Sequence, residues 1–272
     1  MKTKLEKPQM AKITKVVDEA DGIKSIFLGR QIEAKPGQFV MLWIPRMDEK
    51  PFAIGYLEED SFGLTIAAVG PFSNRLCSMQ PGQEIGFRGP YGTSYNLDED
   101  LEKIVMVGGG YGAASLALLA EEAMKKEIDV IFINGARTKQ KLIYESRIKN
   151  LGVSRFIMTT DDGSYGMKGR TTDVLEEILN KEKLDKVFAC GPEMMLKKGA
   201  GICVEKNVEC EVSIERYFKC GFGLCGHCCI DPLGIRVCVE GPVTDAKIAQ
   251  QLTEFGNYHR LKSSRKEKVY GG

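Results

Sequence analysis

The sequence has few histidines and no surplus of either charge. Its 272 residues include two histidines, His227 and His259, and 38 basic residues stand against 37 acidic ones, a formal net charge of +1. Two histidines make a histidine-rich metal site or a Ser-His-Asp triad a poor hypothesis. A balanced charge without a basic stripe is untypical of nucleic-acid-binding proteins. We therefore expect neither a histidine-based active site nor a nucleic-acid partner.

The sequence also lacks a long uninterrupted apolar run. Residues 1–21 alternate charged side chains with short apolar stretches, so that segment has no signal-peptide core. The most apolar stretch, residues 104–120, contains four glycines and is flanked by charges, so a strand, a turn and a helix explain it better than a membrane span. These patterns predict a soluble, cytoplasmic protein with no membrane partner.

The first part of the chain is a series of short strands, and the part after Tyr91 alternates strands with helices. Six short strands separated by Pro-Gly, Asp-Gly or acidic stretches predict an antiparallel barrel or sandwich. Alternating strands and helices predict a parallel sheet covered by helices. The expected barrel strands are 13–17, 23–28, 38–44, 52–57, 64–68 and 84–88. The later strands are 103–107, 128–134, 155–159, 186–189 and 209–213, and the helices are 113–126, 142–150, 174–181 and 194–205.

These elements predict a protein of both α/β and all-β class with three units. We expect an N-terminal six-stranded antiparallel barrel over residues 1–100 and a central parallel-sheet nucleotide-binding domain over residues 101–208. A small cysteine-rich segment follows over residues 209–272, and it includes a polar tail from about Asp245.

A glycine turn follows the first strand of the central domain. Gly108, Gly110 and Ala113 form a G-x-G-x-x-A pattern between a predicted strand and a predicted helix. Bare glycines let the backbone approach a pyrophosphate at a helix N-terminus, so the turn predicts dinucleotide binding. A tight turn without a ligand is the alternative. The dinucleotide-binding motif also includes an acidic residue about twenty residues further on. No residue clearly fits that position here, because Glu127 and Asp129 stand at the wrong end of the next strand.

Nine cysteines are present, and five of them fall within nineteen residues. Cys220, Cys225 and Cys228 follow a C-x4-C-x2-C spacing, and Cys238 supplies a later fourth sulfur. This spacing is that of plant-type [2Fe–2S] ligands. A four-cysteine zinc site is the alternative, although such sites usually repeat a C-x2-C pair and only one is present. Cys229 could replace its neighbour Cys228, but the x2 spacing favours Cys228.

The cofactors predicted from these two motifs differ in how many electrons they exchange at a time. A nicotinamide exchanges two electrons as hydride, whereas a [2Fe–2S] cluster takes one at a time. A flavin can convert between the two, and the N-terminal barrel is the natural place to hold it. We therefore expect a flavin, a [2Fe–2S] cluster and a nicotinamide nucleotide in one chain.

In this order the three units resemble the ferredoxin–NADP reductase superfamily, and more narrowly the electron-transfer subunits of class B dihydroorotate dehydrogenase. The segments that carry the resemblance are 36–40, 50–53, 70–76, 89–92, 108–114, 160–166, 190–195, 215–216 and 237–243. The resemblance implies an FMN-containing catalytic partner that oxidises dihydroorotate in pyrimidine biosynthesis. Electrons then pass through the cluster and FAD to NAD+. It also implies a heterotetramer with two copies of each subunit.

The resemblance also implies the site residues. FAD is expected at Lys50, Pro51, Phe52, Ala53, Gly70, Pro71, Phe72 and Ser73. The nucleotide is expected at Gly108, Gly109, Gly110, Gly112, Asp161, Gly191 and Pro192, with Cys190 as the catalytic residue beside the nicotinamide. The cluster is expected on Cys220, Cys225, Cys228 and Cys238.

Two positions depart from the family pattern. Lys50 stands where the family has an arginine, which keeps the charge but loses the planar fork that binds phosphate in a bidentate manner. Ala53 stands where the family has a hydroxyl residue, so one hydrogen bond to the flavin is missing. Each change costs on the order of 1 kcal/mol of FAD affinity. We therefore expect FAD to be retained less tightly during purification.

Two other functions compete with this one. Similar FAD/[2Fe–2S] subunits serve ferredoxin-linked transhydrogenases, sulfide dehydrogenases and hydrogenases, although residues 229–238 and 254–258 look closer to the pyrimidine-pathway subunit. A nucleotide-sensing protein with a structural zinc is the remote alternative, and it would be colourless. Arg137, Lys139 and Lys141 could accept a 2′-phosphate, so NADP stays open, although the resemblance favours NAD.

Overall fold

The structure is a computed structural model that describes residues 7–269. Residues 1–6, which belong to the predicted barrel domain and to the segment without a signal-peptide core, lie outside the described residues, as do residues 270–272 of the predicted tail. Between residues 7 and 269 no helix is long and apolar enough to cross a membrane.

The first unit is a closed six-stranded antiparallel barrel, as predicted. Its strands are β1 (Gln9–Ala20), β2 (Ile23–Leu28), β3 (Phe39–Ile44), β4 (Asp48–Leu57), β5 (Phe62–Ala67) and β6 (Glu84–Tyr91), in the order β1-β2-β5-β4-β3-β6. Alternate residues along the strands point inward and form an apolar core in which the Phe62 and Phe87 ring centroids lie 5.1 Å apart. A short helix, α1 (Pro71–Cys77), follows β5 and was not predicted.

The second unit is a sheet covered by helices. Its elements are β7 (Lys103–Gly109), α2 (Ala113–Lys125), β8 (Asp129–Ala136), α3 (Glu145–Asn150), β9 (Arg155–Thr160), β10 (Met167–Lys168), α4 (Thr171–Lys181), β11 (Lys186–Cys190), α5 (Glu193–Glu205) and β12 (Glu209–Ser213). The order is β10-β9-β8-β7-β11-β12-β15, and all pairs are parallel except the last. The strand interiors are buried on both faces, as expected of parallel strands between helices.

The sheet is mixed rather than purely parallel, because β15 (Val243–Asp245) returns from the C-terminal segment and pairs antiparallel with β12. The other C-terminal elements are β13 (Cys229–Ile230), β14 (Ile235–Arg236), α6 (Val237–Glu240), α7 (Ala246–Ala249), β16 (Tyr258–Arg260) and β17 (Lys266–Lys268). Both β12 and β15 lie within residues 209–272, so the third unit shares the sheet of the second.

The prediction of a polar tail from Asp245 is wrong for its first part. Ala249, Leu252 and Phe255 are 0%, 4% and 1% exposed and belong to the core beneath the sheet. Their spacing of three residues places them on one side of a turn-rich segment, and the polar residues between them concealed this pattern in the sequence.

The barrel and the sheet meet at a polar and aromatic contact. The Arg147 guanidinium lies over the Tyr56 ring at 3.7 Å and near the Tyr144 ring at 5.0 Å. It donates to the Gly55 carbonyl at 2.8 Å and to the Glu121 carboxylate at 2.7 Å. Since Tyr56 and Gly55 belong to the barrel and the other groups to the second unit, this arginine fixes the orientation of one unit on the other.

Replacing Phe255 tests whether the tail is part of the core. Phe255→Ala removes a buried ring, so the free energy of unfolding should fall by about 3 to 5 kcal/mol. Urea unfolding of the apo chain followed by circular dichroism measures the change. Ile248→Ala is the matched control, because Ile248 is 38% exposed in the same segment and its loss should cost below about 1 kcal/mol. Equal losses for the two variants would contradict the assignment.

Candidate functional site

A cavity of about 670 Å³, called the larger cavity below, lies between the barrel and the sheet. Strands β4 and β5 form one wall, and the turns that follow β7, β11 and β12 form the other. Its lining contains Gly112 and Cys190, which were predicted for the nucleotide site. It also contains all eight residues predicted to bind FAD: Lys50, Pro51, Phe52, Ala53, Gly70, Pro71, Phe72 and Ser73. The structure therefore brings both predicted flavin segments to one cavity.

The segment before α1 is held by Ser73. Its Oγ accepts hydrogen bonds from the Val69 and Gly70 amides, at 3.0 Å each, and donates to the Gly70 carbonyl at 3.1 Å. All three of these Ser73 hydrogen bonds are therefore made within the turn. Ser73 shapes the backbone at the cavity wall, and a ligand there would meet that backbone.

Lys50 already has partners in the structure. Its Nζ donates to the Tyr217 hydroxyl at 2.5 Å and forms an ion pair with Asp48 at 3.1 Å. Burial acts to lower the pKa of Lys50, but the hydrogen bonds to Tyr217 and Asp48 outweigh it and raise the pKa. Lys50 therefore stays charged and links the barrel to the segment that follows β12.

The second cavity, about 430 Å³, lies between the turns after β7 and β11 and the strand β16. Of the residues predicted to bind the nucleotide, Gly109, Gly110, Gly191 and Pro192 line it. Five residues line both cavities: Tyr111, Glu215, Arg216, Tyr217 and His259. The two cavities are therefore neighbours with a shared wall.

Ligand binding was not predicted from the sequence for most residues of this shared wall. Glu215 and Arg216 follow β12 directly, and ligands of α/β sheets bind at the carboxyl ends of strands, so that position was a usable signal. His259 lies on β16, more than forty residues further along the chain, and no local pattern points to it.

Close packing of two turns explains several of the glycines. A Cβ on Gly112 would lie 2.7 Å from the Cys190 carbonyl, and one on Gly109 would lie 2.7 Å from Pro192. These two glycines are required by the contact between the turns, whatever the ligand. Gly110 has a φ of +55°, which favours glycine, and no atom lies within 4 Å of a Cβ built there, so its open side faces the cavity.

Two residues predicted to bind the nucleotide line neither cavity. Gly108 is buried, and a Cβ there would lie 2.9 Å from the Ala113 Cβ. Asp161 is exposed after β9, where its amide donates to the Ala136 carbonyl at 3.1 Å. Of the cations considered for a 2′-phosphate, Lys141 forms an ion pair with Asp21 at 3.0 Å.

Cys190 ends β11 at the wall of the larger cavity and is 6% exposed. Burial raises the pKa of its thiol to about 11, although hydroxyl groups of Ser115, Ser213 and Tyr95 close to the sulfur act to lower it. The side chain is therefore a neutral thiol at physiological pH. It can contact a ring or donate a weak hydrogen bond, but it is not a thiolate nucleophile.

The four predicted cluster cysteines form two pairs. The Cys220 sulfur accepts the Leu224 and Cys225 amides at 3.3 and 3.4 Å and contacts the Cys225 side chain. The Cys228 and Cys238 sulfurs lie 3.3 Å apart. Two pairs of sulfurs are what a two-iron cluster needs, because each iron takes two cysteine ligands.

Two of the four cysteines, Cys220 and Cys228, have a lowered pKa, whereas the hydrogen bond to Cys228 and burial raise the pKa of Cys238. Burial acts to raise the pKa of Cys220, but amide donors to its sulfur outweigh it and lower the pKa to about 7. The Cys238 thiol lowers the pKa of Cys228 to about 7 in the same way. Two sulfur pairs with a C-x4-C-x2-C spacing fit the ligand pattern of a plant-type [2Fe–2S] cluster.

The cysteine loop begins at the wall of the larger cavity. Phe218 lines that cavity, and Cys220 follows two residues later. Because a chain extends at most about 3.6 Å per residue, the two Cα atoms lie within roughly 7 Å of each other. A cluster on this loop is therefore adjacent to a group bound in the cavity.

Two family models match the chain. Residues 106–200 match an oxidoreductase NAD-binding domain, and residues 215–248 match the iron–sulfur cluster binding domain of dihydroorotate dehydrogenase B. The dihydroorotate dehydrogenase B (NAD+) electron transfer subunit of Methanocaldococcus jannaschii is 42% identical over 262 residues, which cover 96% of this chain and 99% of that one. The subunit of the same name from Pyrococcus furiosus is 41% identical over 90% of this chain and 93% of its own length.

Solved structures share the fold. A chain of an NADH-dependent reduced ferredoxin-NADP oxidoreductase, described in work on flavin-based electron bifurcation, superposes with a TM-score of 0.81 at 27% identity and 91% coverage of both chains. The ferredoxin reductase of carbazole 1,9a-dioxygenase superposes with a TM-score of 0.64 at 20% identity, over 74% of this chain and 66% of that one.

The raised pKa of Cys190 predicts its reactivity. In the metal-free apo chain, the rate of Cys190 alkylation by iodoacetamide should still be rising at about pH 10 and reach half its maximum near about pH 11, whereas an ordinary thiol reaches half its maximal rate near about pH 8.5. Peptide mass spectrometry after timed quenching measures the rate, and N-acetylcysteine is the control. A plateau for Cys190 at the same pH as for the control would contradict a neutral, buried thiol.

Proposed function

The chain belongs to the family of dihydroorotate dehydrogenase B (NAD+) electron transfer subunits, and on that premise we propose which of its residues hold each cofactor. As a member of this family it is an oxidoreductase subunit that carries electrons from dihydroorotate oxidation to NAD+ in pyrimidine biosynthesis. Its cofactors are FAD and a [2Fe–2S] cluster. The observation that carries the assignment of sites is the position of the cysteine loop, which starts at the wall of the larger cavity.

The larger cavity is the FAD site in this proposal. Bound there, FAD converts between one-electron and two-electron transfer. The residues 50–53 and 70–73 form the wall, and the turn fixed by Ser73 presents backbone groups to the phosphates. Lys50 contributes its positive charge from a position fixed by Tyr217 and Asp48. Ala53 offers no hydrogen bond, which supports weaker FAD retention.

The smaller cavity is the NAD site. Gly110 gives the open backbone that a phosphate can approach, and Gly191 and Pro192 form the opposite wall. Cys190 faces the larger cavity at the boundary and would contact the nicotinamide as a neutral thiol. Gly109 and Gly112 hold the two turns together, and Gly108 and Asp161 stay as predictions that the cavity geometry does not support.

The two sulfur pairs, Cys220 with Cys225 and Cys228 with Cys238, would hold the cluster. The amides of Leu224 and Cys225, and the Gly223 amide at 3.2 Å from the Cys238 sulfur, donate to the ligands. Such hydrogen bonds stabilise the thiolates and set the reduction potential of an iron–sulfur cluster.

A separate catalytic subunit that contains FMN is the proposed electron donor. The family name, electron transfer subunit, implies a catalytic partner. Leu224 is 75% exposed and lies beside Cys225, which is also exposed, so this side of the loop is accessible to a partner. A heterotetramer of two copies of each subunit and a cytoplasmic location stay predictions.

One observation favours an alternative electron donor. The fold match to a chain of NADH-dependent reduced ferredoxin-NADP oxidoreductase covers 91% of both chains at 27% identity. A transhydrogenase-type complex would use ferredoxin rather than dihydroorotate as the electron donor. The two donors therefore distinguish the candidates when each is offered to the complex with NAD+ or NADP+.

Cysteine variants test the cluster assignment in the complex with the partner. Cys225→Ser should lose the cluster absorption and dihydroorotate-driven NAD+ reduction, because one iron loses a ligand, while FAD content and flavin reduction by NADH are retained. Cys229→Ser is the matched control and should keep the cluster and the activity. Iron content, visible absorption and NADH formation are the measurements.

Two results would contradict the proposal. Loss of the cluster in Cys229→Ser with retention in Cys225→Ser would reject this ligand set. No NAD+ reduction by dihydroorotate in the wild-type complex, with all cofactors loaded, would reject the partner and the direction of transfer.

A further inference from the structure

The proposed electron path delivers electrons without protons. An iron–sulfur cluster transfers single electrons, whereas the hydride that reaches NAD+ consists of two electrons and one proton. For every NADH formed, one proton must therefore enter the larger cavity from water. This inference rests on the proposed function, and it concerns the route of that proton.

Thr65, whose side chain carries a hydroxyl group, lies at the wall of the larger cavity. On β4 and β5, Ile54 pairs with Leu64, and both side chains are completely buried in the barrel core. Ala53 and Thr65 come next along the two strands in the same register, so they project to the opposite face, and both line the cavity. Thr65 thus stands across from Ala53, the position where the family has a hydroxyl residue.

A chain of short hydrogen bonds leads from Thr65 across the outer face of the barrel. The Thr65 and Ser25 hydroxyl oxygens lie 2.7 Å apart, and Ser25 is 0% exposed. The Ser25 hydroxyl donates to the Glu19 carboxylate at 2.6 Å. Glu19 is half-buried near the end of β1, so the chain connects the cavity to the surface.

Neighbouring side chains hold this chain of hydrogen bonds in place. Tyr56 donates to Glu19 at 2.7 Å, and the Tyr144 hydroxyl forms a hydrogen bond with Thr65. Burial raises the pKa of both tyrosines, so each keeps its proton. The Arg147 guanidinium lies over the Tyr56 ring, and its positive charge faces the tyrosine pair.

We propose that Glu19, Ser25 and Thr65 form the route by which protons enter the flavin cavity. The Glu19 carboxylate takes a proton from water and passes it to the Ser25 oxygen. Ser25 gives its own proton to Thr65, and Thr65 gives its proton to the group bound in the cavity. Each hydroxyl keeps one proton, and Glu19 returns to the carboxylate. Thr65 contacts the cofactor, and Ser25 and Glu19 are positioning residues that act through it.

Proton uptake during flavin reduction tests the route. The FAD- and cluster-loaded chain is reduced photochemically under nitrogen without NAD+, while a pH-indicator dye reports proton uptake and the flavin absorption reports reduction. Ser25→Ala and Thr65→Val should slow proton uptake by about 100-fold per bound FAD and change its solvent deuterium isotope effect. Thr65→Ser restores the hydroxyl and should restore the wild-type rate, which a purely structural role of Thr65 would not require.

Ser61→Ala is the matched control. Ser61 is buried in the same barrel and donates to Glu58 at 2.6 Å, but it does not line the cavity. Its variant should keep the wild-type rate of proton uptake. Wild-type rates of proton uptake in Ser25→Ala and Thr65→Val, with FAD bound, would overturn the proton route and leave the proposed function standing. Failure of the wild-type chain to bind FAD would overturn the proposed function and the route with it.

Discussion

The antiparallel pairing of β12 with β15 is the constraint on which the arrangement of sites depends. Residues 211–213 pair with residues 243–245, so both ends of the cysteine-rich segment are fixed to the edge of the nucleotide-binding sheet. The segment between them must then form a compact loop beside that edge. Because β12 ends at the larger cavity, Cys220 stands next to the cavity proposed to hold FAD.

A second contact fixes the two cavities relative to each other. The turn after β7 packs on the turn after β11 so closely that Gly112 has no room for a Cβ beside the Cys190 carbonyl. The barrel is held against the same region by Arg147 and by the link from Lys50 to Tyr217. The cysteine loop and the two cavities therefore meet at one small wall, so the cofactors proposed for them would be close enough for electron transfer.

The sequence was informative where the signal is local. Strand periodicity gave all six barrel strands, and the cysteine spacing selected four sulfurs that the structure arranges in two pairs. Sequence patterns did not predict elements that are very short or that depend on contacts between distant segments.

Helix α1 is only seven residues long and begins with Pro71, so its pattern is too short to recognise. The buried tail around Phe255 and the wall residue His259 depend on tertiary packing, which no local pattern encodes. Gly109 and Gly112 fitted a phosphate-binding motif, yet the contact between two turns already requires them.

The central claim is that one chain holds a flavin and a [2Fe–2S] cluster in electronic contact with the nicotinamide site. The most direct test is the visible spectrum of the reconstituted chain under nitrogen, recorded before and after addition of NADH. The account predicts flavin bands with a broad iron–sulfur absorption, and both should bleach when NADH is added. A colourless chain after reconstitution, or bands that NADH leaves unchanged, would contradict it.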